Sequence, residues 1–329
     1  KKVLLAGVAL YIICSGLAWR AETLDTMLIA RFLQGLGVAS PRVVGMALIR
    51  DQYSGHQMAK LISLAMMVFA VIPSIAPIIG TAIIYYFDWR AIFVSFAVFA
   101  MITATWLAVR QPETLPQSAR IPLKVPAFLA AFKEAFRSEM FVLSILVQAL
   151  IFGLLMALIS TTQQIYDITF GKADSFPMWF AITGLLATTA NLINAGLVER
   201  LGMRYLITVA LGLEVLICLV MTALIWTGSW PPGTYFPAYL FWSTSVMFML
   251  GFTLGNLNSL AMEPMGHIAG MAASIIGSVS TIVGVAIAVP IGLAFSGTPL
   301  PLAVGGTFCC GIAWLLMRRM ARLERVVVA

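Results

Sequence analysis

The sequence predicts an all-α, multi-pass membrane bundle, and three observations carry that prediction. Hydrophobic residues make up 61% of the 329-residue chain and charged ones only 10%, whereas a soluble domain carries about 25% charged residues. The mean hydropathy is +1.00. The apolar residues fall into ten runs, each long enough to approach the roughly 20 residues that cross a bilayer.

In chain order the first four expected spans are residues 3–19, 26–49, 61–87 and 91–109. A polar stretch then runs from Arg110 to Met140, with Pro112, Pro116, Pro122 and Pro126 in it. Six further spans follow at 141–162, 177–197, 205–226, 237–262, 268–295 and 301–317. The expected organisation is therefore a four-span part (1–109), a cytoplasmic linker (110–140) and a six-span part (141–329). The six-span second part suggests a duplicated unit. A first part of matching size would need two more spans upstream of Lys1, and the chain opens on Lys1-Lys2 with no starting Met. Ten of twelve helices is the expectation.

Charge sets the orientation. Fifteen of the 20 Lys and Arg residues lie on one set of alternating flanks; these include Lys1, Lys2, Arg50, Arg120, Lys124, Arg200, Arg204 and Arg325. Only Arg20, Arg90 and Lys172 lie on the other, while Arg31 and Arg42 fall within a span. Cytoplasmic loops carry the excess of Lys and Arg, so both termini and the linker are expected in the cytoplasm.

Composition also excludes function classes. The net charge of +7 resides in loops between apolar runs, not in a basic surface interleaved with aromatics, so no nucleic-acid partner is expected. Cys14, Cys218, Cys309 and Cys310 lie in apolar runs without metal-ligand spacing and read as buried thiols. His56 and His267 show no metal or catalytic spacing. No HExxH, paired aspartates or nucleophile–base set appears, so neither an enzyme nor a cofactor is expected.

The residues that could carry chemistry are polar groups inside spans. Arg31 lies about five residues into its span, where a cation costs roughly 2.5–3.5 kcal/mol on insertion scales. It reads as a buried cation pairing with an acid or a carbonyl on a neighbouring helix, or as an arginine snorkelling to the interface. Gln34 follows one turn later, with Gly35 and Gly37 reading as close helix contacts, as do Gly251 and Gly255. Glu214 is the only carboxylate deep in a span; it could exchange a proton or sit as a hydrogen-bonded acid between helices. Gln148, Gln163 and Asn191, with Met156, Tyr166 and Trp179, could line a cavity suited to lipophilic solutes, or bond between helices, as could Gln164, Asn194, Asn256 and Asn258. Glu199, Arg200 and Arg204 flank Gly202 in a cytoplasmic loop and could latch two helix ends.

Several segments resemble one family. Lys1-Lys2-Val3-Leu4 resembles the tail of a first cytoplasmic loop, and Arg31-Phe32-Leu33-Gln34-Gly35-Leu36-Gly37 a proton-coupling motif. Pro73-Ser74-Ile75-Ala76-Pro77-Ile78-Ile79-Gly80 resembles an antiporter motif. Asp88 to Phe93, Gln111 to Leu115, Arg50-Asp51 and the degenerate loop Glu199–Arg204 fit the same pattern. Together they resemble the major facilitator superfamily, and within it drug–proton antiporters of the bicyclomycin/chloramphenicol-resistance type. Ala76 and Thr81 stand where that motif usually has Gly. The resemblance implies multidrug efflux by alternating access across the cell inner membrane, with small lipophilic substrates and protons as partners, in a monomer. It implies proton coupling through Arg31 and Gln34, and a helix bend and seal at Pro73, Ala76, Pro77 and Gly80. It also places Glu214 on a peripheral helix. Export of a metabolite such as an amino acid, or a scaffold that transports nothing, are the alternatives.

Overall fold

A computed structural model describes residues 1–114 and 125–328. The side chains of Arg42, Arg50, His56, Pro126, His267 and Arg325, and the linker residues Leu115, Pro116, Arg120, Pro122 and Lys124, lie outside the described residues. The chain divides into two compact units, Lys1–Leu123 and Lys124–Ala329.

The N-terminal unit holds α1 (Lys2–Arg20), α2 (Leu24–Gln52), α3 (Gly55–Tyr86) and α4 (Ala91–Arg110). Thr23 starts α2 by accepting the Thr26 amide at 3.3 Å, which satisfies one of the orphan donors of a helix start. α1 packs along both α2 and α4, while α3 touches its neighbours far less. Leu4, Val8, Leu48 and Ala100 form the buried centre, with Tyr11 and Val44 against it. Thr114 donates to the Asp51 carboxylate at 2.8 Å, which ties the start of the linker to the end of α2.

The C-terminal unit opens with α5 (Val125–Ala135), followed by α6 (Glu139–Gln164), α7 (Phe176–Leu201), α8 (Met203–Thr227), α9 (Tyr235–Met262), α10 (Ala269–Leu293) and α11 (Leu300–Val328). α5 is a helix inside the stretch expected to be plain linker. Its sequence is only 11 residues long, too short to register as a span, and it packs against α10. Ser138 caps α6 by accepting the Phe141 amide.

α7 and α8 are joined by Gly202 alone, at φ +79° and ψ 149°. That combination is essentially restricted to glycine, so the tight reversal depends on that residue. The C-terminal end of α6 passes into a π-helical turn, Ile165–Thr169. It carries the buried Tyr166, whose ring meets Phe176, Phe236 and Tyr239 edge-on at centroid distances of 5.4–5.8 Å. Sequence periodicity does not announce such a turn.

Nine helices among the described residues are long and apolar enough to cross a membrane. The expected third span falls in α3, whose described apolar part is Val71–Tyr86. The expected and observed helix ends agree to within a few residues, except that α3 starts six residues earlier, at Gly55, and α11 runs on to Val328. Phe99, Trp106, Phe241, Leu293 and Phe308 are among many large apolar side chains left exposed, as a lipid-facing surface requires and an aqueous one does not favour.

Candidate functional site

The seam between α1 and α2 is set by two glycines. A methyl group built on Gly37 would lie 2.7 Å from the Gly7 carbonyl oxygen and 2.9 Å from the Tyr11 amide nitrogen. One built on Gly7 would collide with the Ser40 hydroxyl. Lipid offers no hydrophobic drive for helices to associate, so close backbone approach and interhelical bonds carry that load. Gly35 does not share the role, because nothing lies within 4 Å of its Cβ position. The reading of Gly35-Leu36-Gly37 as one contact is corrected to Gly37 alone.

That close approach lets Gln34, 2% exposed, reach across the seam. Its Nε2 donates to Ser15 Oγ at 2.6 Å, and Ser15 Oγ donates to the Tyr11 carbonyl at 2.8 Å. On the other side, Arg31 Nη1 donates to Gln34 Oε1 at 2.8 Å. The Arg31 guanidinium also lies over the Phe93 ring of α4, 5.8 Å from its centroid. Arg31 and Gln34 are thus brought together, in a bonded chain spanning both helices. The expectation of a buried Arg31 is corrected: within this unit its side chain is exposed, and its observed partner is an amide, with no ion pair to it among the described residues. Three residues along a helix turn through about 300°. Gln34 faces the seam, so Arg31 sits at its rim. Ser15 and Gly7 complete the arrangement, and no pattern in the sequence singles them out.

Both prolines of the expected bend lie inside α3, which continues as helix through Pro73 and Pro77. Each proline leaves an upstream carbonyl without its usual amide donor. Thr81 Oγ1 donates to the Pro77 carbonyl at 2.9 Å. Pro73 and Ala76 are exposed, Pro77 and Gly80 half-buried, and the space beside Gly80 is open.

The expected latch is rearranged. Glu199 and Arg200 are exposed, with no ion pair between them among those described. Arg204 points instead at Met140 of α6, its Nη2 lying 3.9 Å from the sulfur, and feels the charge of Glu263 below α9. A salt bridge does close this end, between Glu139 of α6 and Arg319 of α11 at 2.6 Å.

Gln148, Gln163 and Asn191 do not line the groove described between α6 and α10. Gln148 is buried, with its Oε1 unpaired, while Gln163 and Asn191 are exposed. Tyr166 is 1% exposed and belongs to the aromatic core. That groove, of about 440 Å³, is lined by Met156, Ser160, Thr161, Gln164, Val289 and Gly292. Gln164, rather than Gln163, reaches it. The polar pair across α7 and α9 is Asn256 Nδ2 donating to Asn194 Oδ1 at 2.8 Å. It is permitted by Gly251, whose Cβ position lies 2.6 Å from Ala190 Cβ; Gly255 faces open space. Glu214 is 2% exposed in the heart of the C-terminal unit, between α8, α9 and α11.

Comparison with known proteins agrees with this architecture. Residues 1–289 match the sequence profile described as Major Facilitator Superfamily. The chain is 28% identical over 290 residues to a "Bicyclomycin resistance protein homolog" of Haemophilus influenzae, covering 86% of this chain and 70% of that one. It is 27% identical over 278 residues to "Multidrug resistance protein MdtL" of Shewanella oneidensis, covering 84% and 68%. In fold it is similar to a bacterial homolog of the human lysosomal transporter Spinster, inward-facing and occupied, at a TM-score of 0.70 and 13% identity, covering 97% and 82%. It is likewise similar to a D-xylose-proton symporter, at a TM-score of 0.67 and 14% identity, covering 95% and 80%.

Proposed function

Because the chain belongs to the major facilitator superfamily, a family of membrane transporters, we propose that it exports small lipophilic compounds in exchange for protons. Relatives carrying bicyclomycin- and multidrug-resistance names cover more than four-fifths of the chain, which favours drugs over a metabolite such as an amino acid. Residues 1–109 and 141–329 would act as the two halves of an alternating-access carrier, joined by the cytoplasmic linker 110–140. The skew of Lys and Arg supports cytoplasmic termini and an inner-membrane setting. We take the working form as a monomer.

The observation that carries the proton-coupling role is the bonded chain from Arg31 through Gln34 to Ser15. It fixes a permanently charged group at membrane depth while leaving other guanidinium N–H groups to face a titratable carboxylate. An ionised carboxylate is held by Arg31; a protonated one is released. Proton binding thereby changes the pairing, and a carrier whose pairing differs between its inward and outward states is driven by the gradient. The Pro73–Gly80 segment supplies a face of proline rings and small residues, suited to sealing one half against the other. The α6–α10 groove, with Gln164 and Ser160 among apolar neighbours, is a place for a weakly polar drug.

The test uses the full-length protein in proteoliposomes with an imposed proton gradient and a panel of labelled drugs. Arg31→Ala is expected to abolish gradient-driven efflux while counterflow of the same drug persists. Normal driven efflux in that variant refutes the coupling role. Absence of counterflow for every drug tried, with a labelled amino acid moving instead, supports the metabolite reading. Movement of neither solute supports a scaffold.

A further inference from the structure

We propose that Glu214 binds a proton and keeps it, standing in the membrane as a neutral acid that donates its O–H to Ser245. The argument is one of hydrogen counting. Glu214 Oε1 lies 3.2 Å from Ser245 Oγ and 3.5 Å from Cys218 Sγ. Ser245 owns one hydroxyl proton, and its oxygen is also 2.8 Å from the Trp242 carbonyl, which can only accept. Opposite a neutral Glu214 the shorter bond takes that proton, and the serine oxygen is left to accept. An ionised carboxylate would gain the serine proton only by taking it from the Trp242 carbonyl. A protonated one supplies the missing donor and closes the network.

The remaining neighbours do not offer an ionised carboxylate better terms. From its own helix, α8, Cys218 presents a thiol, a weak donor, whose sulfur already accepts from Trp242 Nε1 of α9 at 3.3 Å. From α11, Cys310 hydrogen-bonds Cys218 and lies within electrostatic reach of Glu214, with Cys309 beside it. These groups are neutral thiols. No Lys, Arg or His among the described residues pairs with Glu214. A carboxylate removed from water without a cation carries a penalty that two weak neutral contacts do not return. At 2% exposure the group is shut off from bulk solvent, so the proton is resident. Glu214 is thus a fixed junction of α8 and α9, distinct from the exchanging site proposed around Arg31. The inference does not rest on that coupling role.

The experiment is infrared spectroscopy of the purified full-length protein at a series of pH values across neutrality, with the Glu214→Gln spectrum subtracted at each pH. Wild type is expected to show a carboxylic-acid C=O band that does not change through the pH series. The band is lost in Glu214→Gln and shifts in Ser245→Ala, which removes its acceptor. Gradient-driven drug efflux by Glu214→Gln is expected to stay within about twofold of wild type, as the isosteric neutral amide replaces a neutral acid. A wild-type spectrum without that band, or a band that titrates away over the series, overturns the proposal. A band unmoved by Ser245→Ala also overturns the donation to Ser245. A loss of efflux in Glu214→Gln that keeps its fold would make the proton an exchanging one and overturn its residency.

Discussion

Substituting Gly37 with alanine tests whether the α1–α2 seam holds the Arg31 site. The added methyl would sit 2.7 Å from the Gly7 carbonyl oxygen and 2.9 Å from the Tyr11 nitrogen, both rigid backbone atoms. Ordinary contact needs 3.4 Å or more, so the helices must separate locally by about 0.7 Å. Gln34 lies one turn away, and its 2.6 Å bond to Ser15 would stretch beyond the range in which an N–H···O bond is strong. Overpacking costs about 1–3 kcal/mol, and losing an interhelical bond in a membrane adds about 0.6–1.7 kcal/mol. The expected destabilisation is about 2–5 kcal/mol. It is measured by thermal unfolding of purified protein in detergent, alongside drug efflux. Gly35→Ala is the matched control, two residues away with open space at its Cβ, and should unfold like wild type or slightly higher. Equal stability of both variants, or the reverse ranking, would refute the claim that Gly37 sets the spacing.

Gly202→Ala should lower the unfolding midpoint by the equivalent of about 1–3 kcal/mol, because no alanine adopts φ +79° without strain; an unchanged midpoint would mean the α7–α8 reversal tolerates another geometry. A double-mutant cycle of Asn194→Ala and Asn256→Ala should give a coupling energy of about 0.6 kcal/mol, and no more than about 1.7, with additive effects counting against the bond. Arg319→Gln should change stability by less than about 1 kcal/mol, since both partners are substantially exposed, at 65% and 47%; a large loss would mean this end of α6 and α11 is buried in the working protein.

Helix positions were legible in the sequence because a bilayer imposes one length and one polarity on each span. The helix at Val125–Ala135 was hidden for the same reason: at 11 residues it has no membrane signature. Residue types pointed to the Arg31 site, yet facing directions did not follow from them. Gly35 and Gly37 look alike in a string, and only the seam's position separates the one facing a backbone from the one facing open space. Gln163 and Gln164 differ likewise by 100° of rotation, and the groove took the second. The approach of Arg204 to Met140 of α6 was hidden too, because it joins residues 64 apart in the chain. Asn194 and Asn256 were visible as polar groups within spans, but their pairing depends on Gly251 meeting Ala190, which only three dimensions display.

The bonds around Arg31 have a polarity that cannot be turned round. A guanidinium has no lone pair to offer, so the amide of Gln34 must present its oxygen there and its NH₂ to Ser15. Ser15 in turn must spend its hydrogen on the Tyr11 carbonyl. Were position 31 given an acceptor, as in Arg31→Glu, the amide would need to flip, and Ser15 would then have to turn its single hydrogen from the Tyr11 carbonyl to the amide oxygen. Charge reversal at this residue is therefore felt at the far end of the sequence, inside α1, whereas a lysine keeps its direction.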